Sequence, residues 1–347
     1  MKSILVVGKG DTPYSDRNRA RFVDYARKAG HEVLASDYHE IRGLGGFSNG
    51  RINVLFFFPY TFWNANCEKP TDTNLYGTSR DAYEMFRRHF LETGAEIAEK
   101  FKGHEIHYVI PPQAAPVDRD KIETVARLKA RGVPTPQQLP YISANDVISE
   151  VTKERGVFIK CRYGSEGKGI TVLHKGRWVT NYKVEGDSLS NYGVYEKWQF
   201  ADITGRAELV TQLLRHEVIV EQEIITPDYY NGMKFDLRAY VVMDKVPHFF
   251  VRLNEPKNEI TNFSQGAKIR HHPETGMAEE IAGLAKRTAI KAANALGLEF
   301  VGVDLMFDGG MENPKVVEAQ AFTDFPDIDK LNLAKYMLDD KSGLFKE

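Results

Sequence analysis

Little in this chain points to a special environment. Among 347 residues only two are cysteine, Cys67 and Cys161, far apart in sequence. A disulfide framework needs more, so the pair fits a reducing compartment. No apolar run approaches the ~20 residues of a bilayer-spanning helix. The first ten residues, "MKSILVVGKG", carry an apolar run too short for a signal peptide, and no cleavage site follows. The expectation is a cytoplasmic chain without a membrane partner. A net charge of −2 leaves no global basic field for nucleic acid. Ten histidines are scattered without metal-ligand spacing. No G-x-S-x-G elbow or Ser/His/Asp arrangement stands out, so a nucleophilic side chain is not expected. The loop "GKGD" after the first strand could hold an anion, but it lacks the full dinucleotide fingerprint and reads as a plain βα turn. There is no internal repeat and no low-complexity segment. What remains is 42% hydrophobic and 27% charged, with length enough for two or three domains.

The first third alternates strands and helices. Ile4 to Val7 is a β-branched run, Arg17 to Ala29 reads as a helix stopped by Gly30, and "HEVLAS", "INVLFFF" and "IHYVIPP" are further strands. The segment Ser79–Phe101 carries Tyr83, Phe86, Phe90, Leu91, Ile97 and Phe101 at helical spacing. This alternation predicts an open parallel sheet. The aromatic stretch "FFFPYTFWNA" reads as a core strand entering a packed loop, with an aromatic-lined pocket as the sharper alternative. The polar stretch from Asn64 to Ser79 reads as a long surface loop.

After residue 119 the pattern changes. A helix from Asp120 to Ala130 ends at Gly132 and two prolines, and Ser143 or Asn145 caps the next. "GVFIKCRYGSEGKGITVL" is a hairpin with more glycine than a hairpin needs. "RAELVTQLLRHEVIVEQEI" is a helix running into a strand, and "FDLRAYVVMDKVPHFFVRLN" is a strand hairpin. The next helix places Ile281, Leu284, Ala285, Ala289, Ala292 and Leu296 on one face, with Gly297 at its end. Two strands close the run, and the tail is a short helix with a charged end. The boundaries read as an N-terminal α/β domain (1–118), a second domain (119–328) with a smaller lobe at about 148–224, and a helical tail (329–347).

Asp304 lies inside the apolar strand "FVGVDLMF" and Glu318 inside "KVVEAQAF". Burying an ionised carboxylate without a partner is costly. Two strands joined by a tight turn bring Asp304 and Glu318 side by side, with Gln320 on the face of Glu318. Such oxygens suit Mg²⁺, while buried salt bridges are the structural alternative. On the positive side stand Lys121, Lys160, Lys168, Arg238 and Arg252. Glycines let backbone N–H groups approach a phosphate, and an arginine fork holds a carboxylate or phosphoryl group. Together these residues match a polyphosphate site.

The ordered set Lys121, "GVPTP", "VFIKCRYGSEGKGITVL", "VIVEQEII", "DLRAYVV", "NFSQGA", "GVDLMF" and "VVEAQ" resembles the ATP-grasp superfamily. The nearest flavour is the ribosomal-S6-modification and glutathione-synthetase type of carboxylate–amine ligase. The resemblance spans roughly residues 119–326. It implies an α+β ATP-grasp domain of two lobes, behind the open-sheet domain. It also implies ATP-dependent amide or peptide bond formation through an acyl phosphate, with two Mg²⁺ ions or Mn²⁺ in their place. Lys121 and Lys160 would hold ATP, and Gly164, Ser165, Glu166, Gly167, Lys168 and Gly169 would form the loop over the phosphates. Glu221, Gln222, Glu223, Ile224 and Ile225 would bind adenine, its edge read by the backbone of Glu223 to Ile225. Asp228 would reach the ribose, and Asp304, Glu318 and Gln320 would ligate metal. Arg238 would steady the phosphoryl group, with Arg252 and Asn262 near the carboxylate. Gln320 stands where the family usually has asparagine, and "AFTDFP" replaces a small Ser/Gly turn that helps receive the amine. That second departure leaves room for a small-molecule kinase; a non-catalytic nucleotide-binding regulator is the third reading. Small-molecule or peptide carboxylates and amines are the expected partners, with room for a homodimer. Arg252, Lys268 and Arg270 hint at an acidic substrate, with solvated surface charge the alternative.

Overall fold

The structure is a computed structural model and describes residues 1–9, 13–48, 50–67, 74–193, 196–262, 265–328 and 331–347. The chain opens with β1 (Ser3–Val7), α1 (Pro13–Lys28), β2 (Glu32–Ser36), β3 (Arg51–Phe56), α2 (Tyr60–Asn66), α3 (Arg80–Lys100) and β4 (Glu105–Tyr108). The strands pair in parallel in the order β2-β1-β3-β4. All five residues of β1 are buried, as a central parallel strand covered on both faces requires. Helix α1 starts earlier than Arg17. Pro13 opens it, at a position where a missing N–H costs nothing. Ser79 caps α3 by accepting from the amide of Ala82, worth about 1 kcal/mol. Within α3, Phe86 and Phe90 are buried but Leu91 is 39% exposed, because adjacent helix residues cannot share one face. The aromatic stretch continues past β3 as buried Phe57 and Phe58 and then becomes a helix, α2, where a loop was expected.

The middle of the chain contributes α4 (Lys121–Ala130), α5 (Ala144–Ser149), β5 (Val157–Cys161), β6 (Ile170–His174), β7 (Arg177–Thr180), β8 (Lys183–Glu185), β9 (Ser188–Ser190), β10 (Ala201–Asp202), α6 (Ala207–Leu214) and β11 (Val218–Gln222). Five of these strands form an antiparallel sheet in the order β10-β7-β6-β5-β11. Asp120 caps α4 through the amides of Ile122 and Glu123. Ser143 and Asp146 form a capping box on α5.

A third sheet, antiparallel, is built from β12 (Lys234–Val242), β13 (Lys245–Asn254), β14 (Lys268–His271), β15 (Phe300–Phe307) and β16 (Pro314–Gln320), in the order β14-β13-β12-β15-β16. Helix α7 (Glu279–Leu296) packs across four of these strands. Its buried face is Ala282, Ala285, Ala289, Ala292, Ala293 and Leu296. Ile281 and Leu284 are only half-buried, so the expected stripe is rotated toward the small residues that let the helix approach the sheet closely. The opposite face of the sheet carries charge. Its register sets Asp236 against Arg252, Arg238 against Asp304, and Asp304 against Glu318. Helix α8 (Leu333–Leu338) packs on α1, and the last residues return to the first sheet, where the Lys346 amide donates to Asn53. No helix among the described residues is long and apolar enough to cross a membrane.

Candidate active site

The glycine-rich hairpin between β5 and β6 lies over the charged face of the third sheet, and its glycines answer to close packing. A Cβ at Gly167, where φ is +71°, would sit 2.6 Å from Asn262 and 2.9 Å from Ile260. Gly169 and Gly164 press on the buried Sγ of Cys161, leaving no room for a side chain. Glu166 adopts φ +59°, a strained conformation for a residue with a side chain. Lys121 Nζ donates to the Gly164 carbonyl at 2.5 Å, and Asn181 donates to the Gly167 carbonyl. The loop is therefore held down on the sheet by side chains from two other segments.

Beneath it lies a slot of about 140 Å³. Its walls include Lys121, Lys160, Ser165, Gly167, Lys168, Glu221, Gln222, Glu223, Ile224, Asn262, Asp304 and Glu318, which brings most of the expected site together. Lys160 points inward and donates to Glu221 at 2.6 Å. In the run Glu221 to Ile225 the backbone is largely committed. The Glu223 amide donates to Gly156 and its carbonyl accepts from Arg155. The Ile225 amide donates to Asp308 and its carbonyl accepts from Gly309. Among the described residues nothing takes the backbone groups of Ile224, which lines the slot. Asp228 is exposed, accepts from the Gly232 amide and lines neither cavity.

A second cavity, a chamber of about 540 Å³, shares Ser165, Lys168 and Arg252 with the slot. Glu166, Arg238, Gln320 and Asp324 line it, with an aromatic wall from Phe56 to Trp63 and from Phe322 to Phe325. The two puzzling stretches of the sequence meet here. Phe325 stacks on Phe57 with ring centres 5.2 Å apart, and Phe322 packs against Phe58 at 5.5 Å. "FFFPYTFWNA" is thus both core and pocket wall. Of the loop after it, residues 68–73 lie outside the described set, as do Phe263 and Ser264 of "NFSQG". The described end, Leu75 to Thr78, packs behind the glycine loop: the Tyr163 amide donates to the Gly77 carbonyl. Of the three cations that hinted at an acidic substrate, Arg252 lines both cavities, while Lys268 and Arg270 are exposed and line neither.

Between the cavities runs a chain of buried charge. Arg238 makes a two-pronged pair with Asp304, at 2.6 and 2.7 Å. Arg252 does the same with Asp236, at 2.6 and 2.5 Å, and reaches Asp304 at 2.9 Å. Thr261 donates to Asp236, and Asp324 stands 3.5 Å from Arg238 while accepting from Tyr240. Burial pushes the Asp304 carboxyl up, but the guanidinium groups of Arg238 and Arg252 outweigh it and hold the group at about 2. Burial pushes Asp236 up against the pull of Arg252. Asp304 thus takes the salt-bridged alternative. The carboxylate of Glu318, its register partner, has no hydrogen bond or ion pair to any described residue, and neither does the Gln320 side-chain amide. Among the described residues no three His, Cys, Asp or Glu cluster as a metal cage. Mg²⁺ does not need one: one or two carboxylates plus phosphate and water suffice. Glu318 and Gln320, unpaired beside an ionised Asp304, fit that demand.

Sequence reasoning missed Arg119, Asp236, Tyr240 and Asp324. Asp236 was findable, since a carboxylate inside "FDLRAYVV" is the signal that singled out Asp304. Arg119 reads like any charge before a helix, and nothing in its neighbours tells it apart.

A two-lobed grip on a slot beside an acidic and basic sheet face defines an ATP-dependent ligase of ATP-grasp fold. Residues 118–304 match the YheC/D like ATP-grasp model, and the chain belongs to that family. The tetrahydromethanopterin:alpha-L-glutamate ligase of Methanocaldococcus jannaschii is 25% identical over 242 residues, covering 69% of this chain and 72% of that protein. Among solved structures, the ATP-grasp ligase PsnB, complexed with a phosphomimetic variant of its minimal precursor, Mg and ADP, superposes with a TM-score of 0.60. It is 16% identical, over 99% of both chains. The D-cycloserine synthetase DcsG gives 0.57, with 14% identity over 98% of this chain and 100% of its own. These two likenesses are of fold.

Proposed function

We propose that the chain joins a carboxylate to an amine at the expense of ATP, through an acyl phosphate. The observation that carries this reading is the unpaired Glu318 and Gln320 beside Asp304, in the wall between a narrow slot and a roomy chamber. ATP takes the slot, with Lys121 and Lys160 on its phosphates, the loop Gly164–Gly169 over them and Ile224 on the adenine edge. Glu318, Gln320 and Asp304 would hold one or two Mg²⁺ ions, or Mn²⁺, which would neutralise phosphate charge when bound.

A carboxylate oxygen from the chamber attacks the γ-phosphorus and ADP leaves with the bridging oxygen. The amine nitrogen then attacks the acyl carbon, phosphate departs, and the nitrogen gives up a proton to leave an amide. Arg238 and Arg252 supply fixed positive charge along this path, already aimed by Asp304 and Asp236. Lys168 and Ser165, shared by both cavities, close the loop over the reacting atoms and exclude water that would hydrolyse the acyl phosphate. Asp324, on the chamber wall, offers an incoming ammonium its counter-charge. This replaces the small turn that relatives of this kind usually place there.

The test is a screen of amino-acid and peptide pairs for ADP release, with mass analysis of products. The reading expects ADP release that needs both partners and a product heavier by an amide linkage. A stable phosphorylated hydroxyl compound would make the chain a kinase, and nucleotide binding without turnover would make it a regulator.

A further inference from the structure

The chamber contains a cation whose hydrogen bonds the folded chain leaves incomplete. Arg119 is 7% exposed, and its Nε and Nη1 atoms are buried without a hydrogen-bond partner. Its nearest carboxylate, Asp118, is 3.8 Å away, beyond hydrogen-bond length, and an oxygen of Asp118 accepts instead from the Ala321 amide. Each buried donor left without a partner is costly to the fold. A bound anion would remove that cost. The guanidinium is also aimed: its central carbon lies 4.7 Å from the ring centre of Phe58 and 5.4 Å from that of Trp63. The two rings, 5.7 Å apart and tilted at 57°, flank the guanidinium on one side, and Arg119 lines the chamber.

The chamber's other cations are taken. Arg238 and Arg252 are bound to Asp304 and Asp236, and Lys168 stands 3.4 Å from Glu166. A substrate with two carboxylates would find, among the described residues, one guanidinium with unmet donors and would bury its second charge against rings. The walls are flat and apolar instead, and Tyr60, Phe322 and Phe325 are only half-buried, with ring surface left to cover. The volume lies within the ~300–1,000 Å³ typical of small-molecule sites.

We propose that the carboxylate substrate is an aromatic or large apolar carboxylic acid, with its carboxylate seated on Arg119 and its body against Phe58, Trp63, Phe322 and Phe325. This rests on the ligase reading above. Arg119 lines the chamber and not the slot, which assigns it to the substrate carboxylate and not to the phosphates of ATP.

The experiment supplies ATP, Mg²⁺ and hydroxylamine as the amine, so that any acyl phosphate is trapped as a hydroxamate. Phenylalanine and phenylacetate are compared with alanine and glutamate. The aromatic acids are expected to exceed the other two by about tenfold in kcat/KM. Arg119→Met should raise KM for the aromatic acid about tenfold or more and leave KM for ATP within about twofold, with Arg119→Lys between the two. Calorimetric titration of phenylacetate in the presence of ADP and Mg²⁺ needs no turnover and should show the same loss of affinity in Arg119→Met. Glutamate preferred over both aromatic acids would overturn the proposal. So would an unchanged carboxylate KM in a folded Arg119→Met, or a rise confined to ATP. If no acid yields a hydroxamate, the ligase reading fails alone. The titration still decides the chamber, since phenylacetate that binds neither wild type nor variant sinks it.

Discussion

The slot and the chamber share a wall and follow opposite rules. Apart from Glu318, the slot is lined largely by charges whose partners are in the chain: Lys160 on Glu221, Arg252 on Asp236, Asp304 between two arginines. Its chemistry comes from the β5–β6 hairpin, Lys121 of α4, β11 and the strands of the third sheet beneath them. The chamber is lined largely by rings, and its aromatic walls come from distant segments, residues 56–63 and 322–325 among them, with Arg119 beside them. Its one buried guanidinium with unmet donors is the group the fold does not satisfy. The lesson is that a shared reaction can sit in a site built of self-paired charge, while selectivity sits next door in surface that only a ligand completes.

Variants that separate the two regions sharpen this contrast. The largest effect belongs to Glu318→Ala. It removes the unpaired carboxylate, so turnover with Mg²⁺ should fall by about a thousandfold or more while the melting temperature hardly moves. Near-normal activity would remove Glu318 from the site. Arg238→Lys comes next. A point charge cannot reproduce the two-pronged pair with Asp304, so kcat should drop about a hundredfold; wild-type kinetics would show that the fork is not used. Gly167→Ala should act on the slot alone, because its Cβ would strike Asn262 and Ile260 in a left-handed conformation. The expected outcome is KM for ATP raised about tenfold with the carboxylate KM little changed; an equal rise in both would blur the boundary between the cavities.

The smallest effect concerns pH and stability. Asp304 is held at about 2, below its unfolded value. Its pairing therefore stabilises the fold fully above about pH 4 and is lost as pH falls through about 2. The gap in melting temperature between wild type and Asp304→Asn should be widest above about pH 4 and narrow on acidification. A gap that stays constant would place the stabilisation elsewhere.

The slot was legible in the sequence because its residues break local rules. A lysine at the end of a buried strand, glycines in excess of a turn's needs and carboxylates inside apolar strands each signal a constraint from outside the element. Asp304, Glu318, Lys160 and the loop Gly164–Gly169 were all found this way. Where the reading went astray, the deciding contact was non-local. The backbone of Ile225 is taken by Asp308 and Gly309, far along the chain, which leaves Ile224 as the residue of that run with free backbone groups among the described residues. The half-buried face of α7 shifted because the sheet accepts alanines more closely than isoleucine. The chamber was the least legible part. Phe322 and Phe325 break no local rule, and their meaning depends on Phe57 and Phe58 being folded against them.

The central claim is that a carboxylate in the chamber is phosphorylated by ATP in the slot before an amine displaces the phosphate. The direct measurement uses a supporting substrate whose carboxylate carries ¹⁸O in both oxygens, with mass analysis of the inorganic phosphate released. The account predicts one labelled oxygen in each phosphate, carried over from the carboxylate when the acyl–oxygen bond breaks. Phosphate free of label would contradict it, because no acyl phosphate would then have formed.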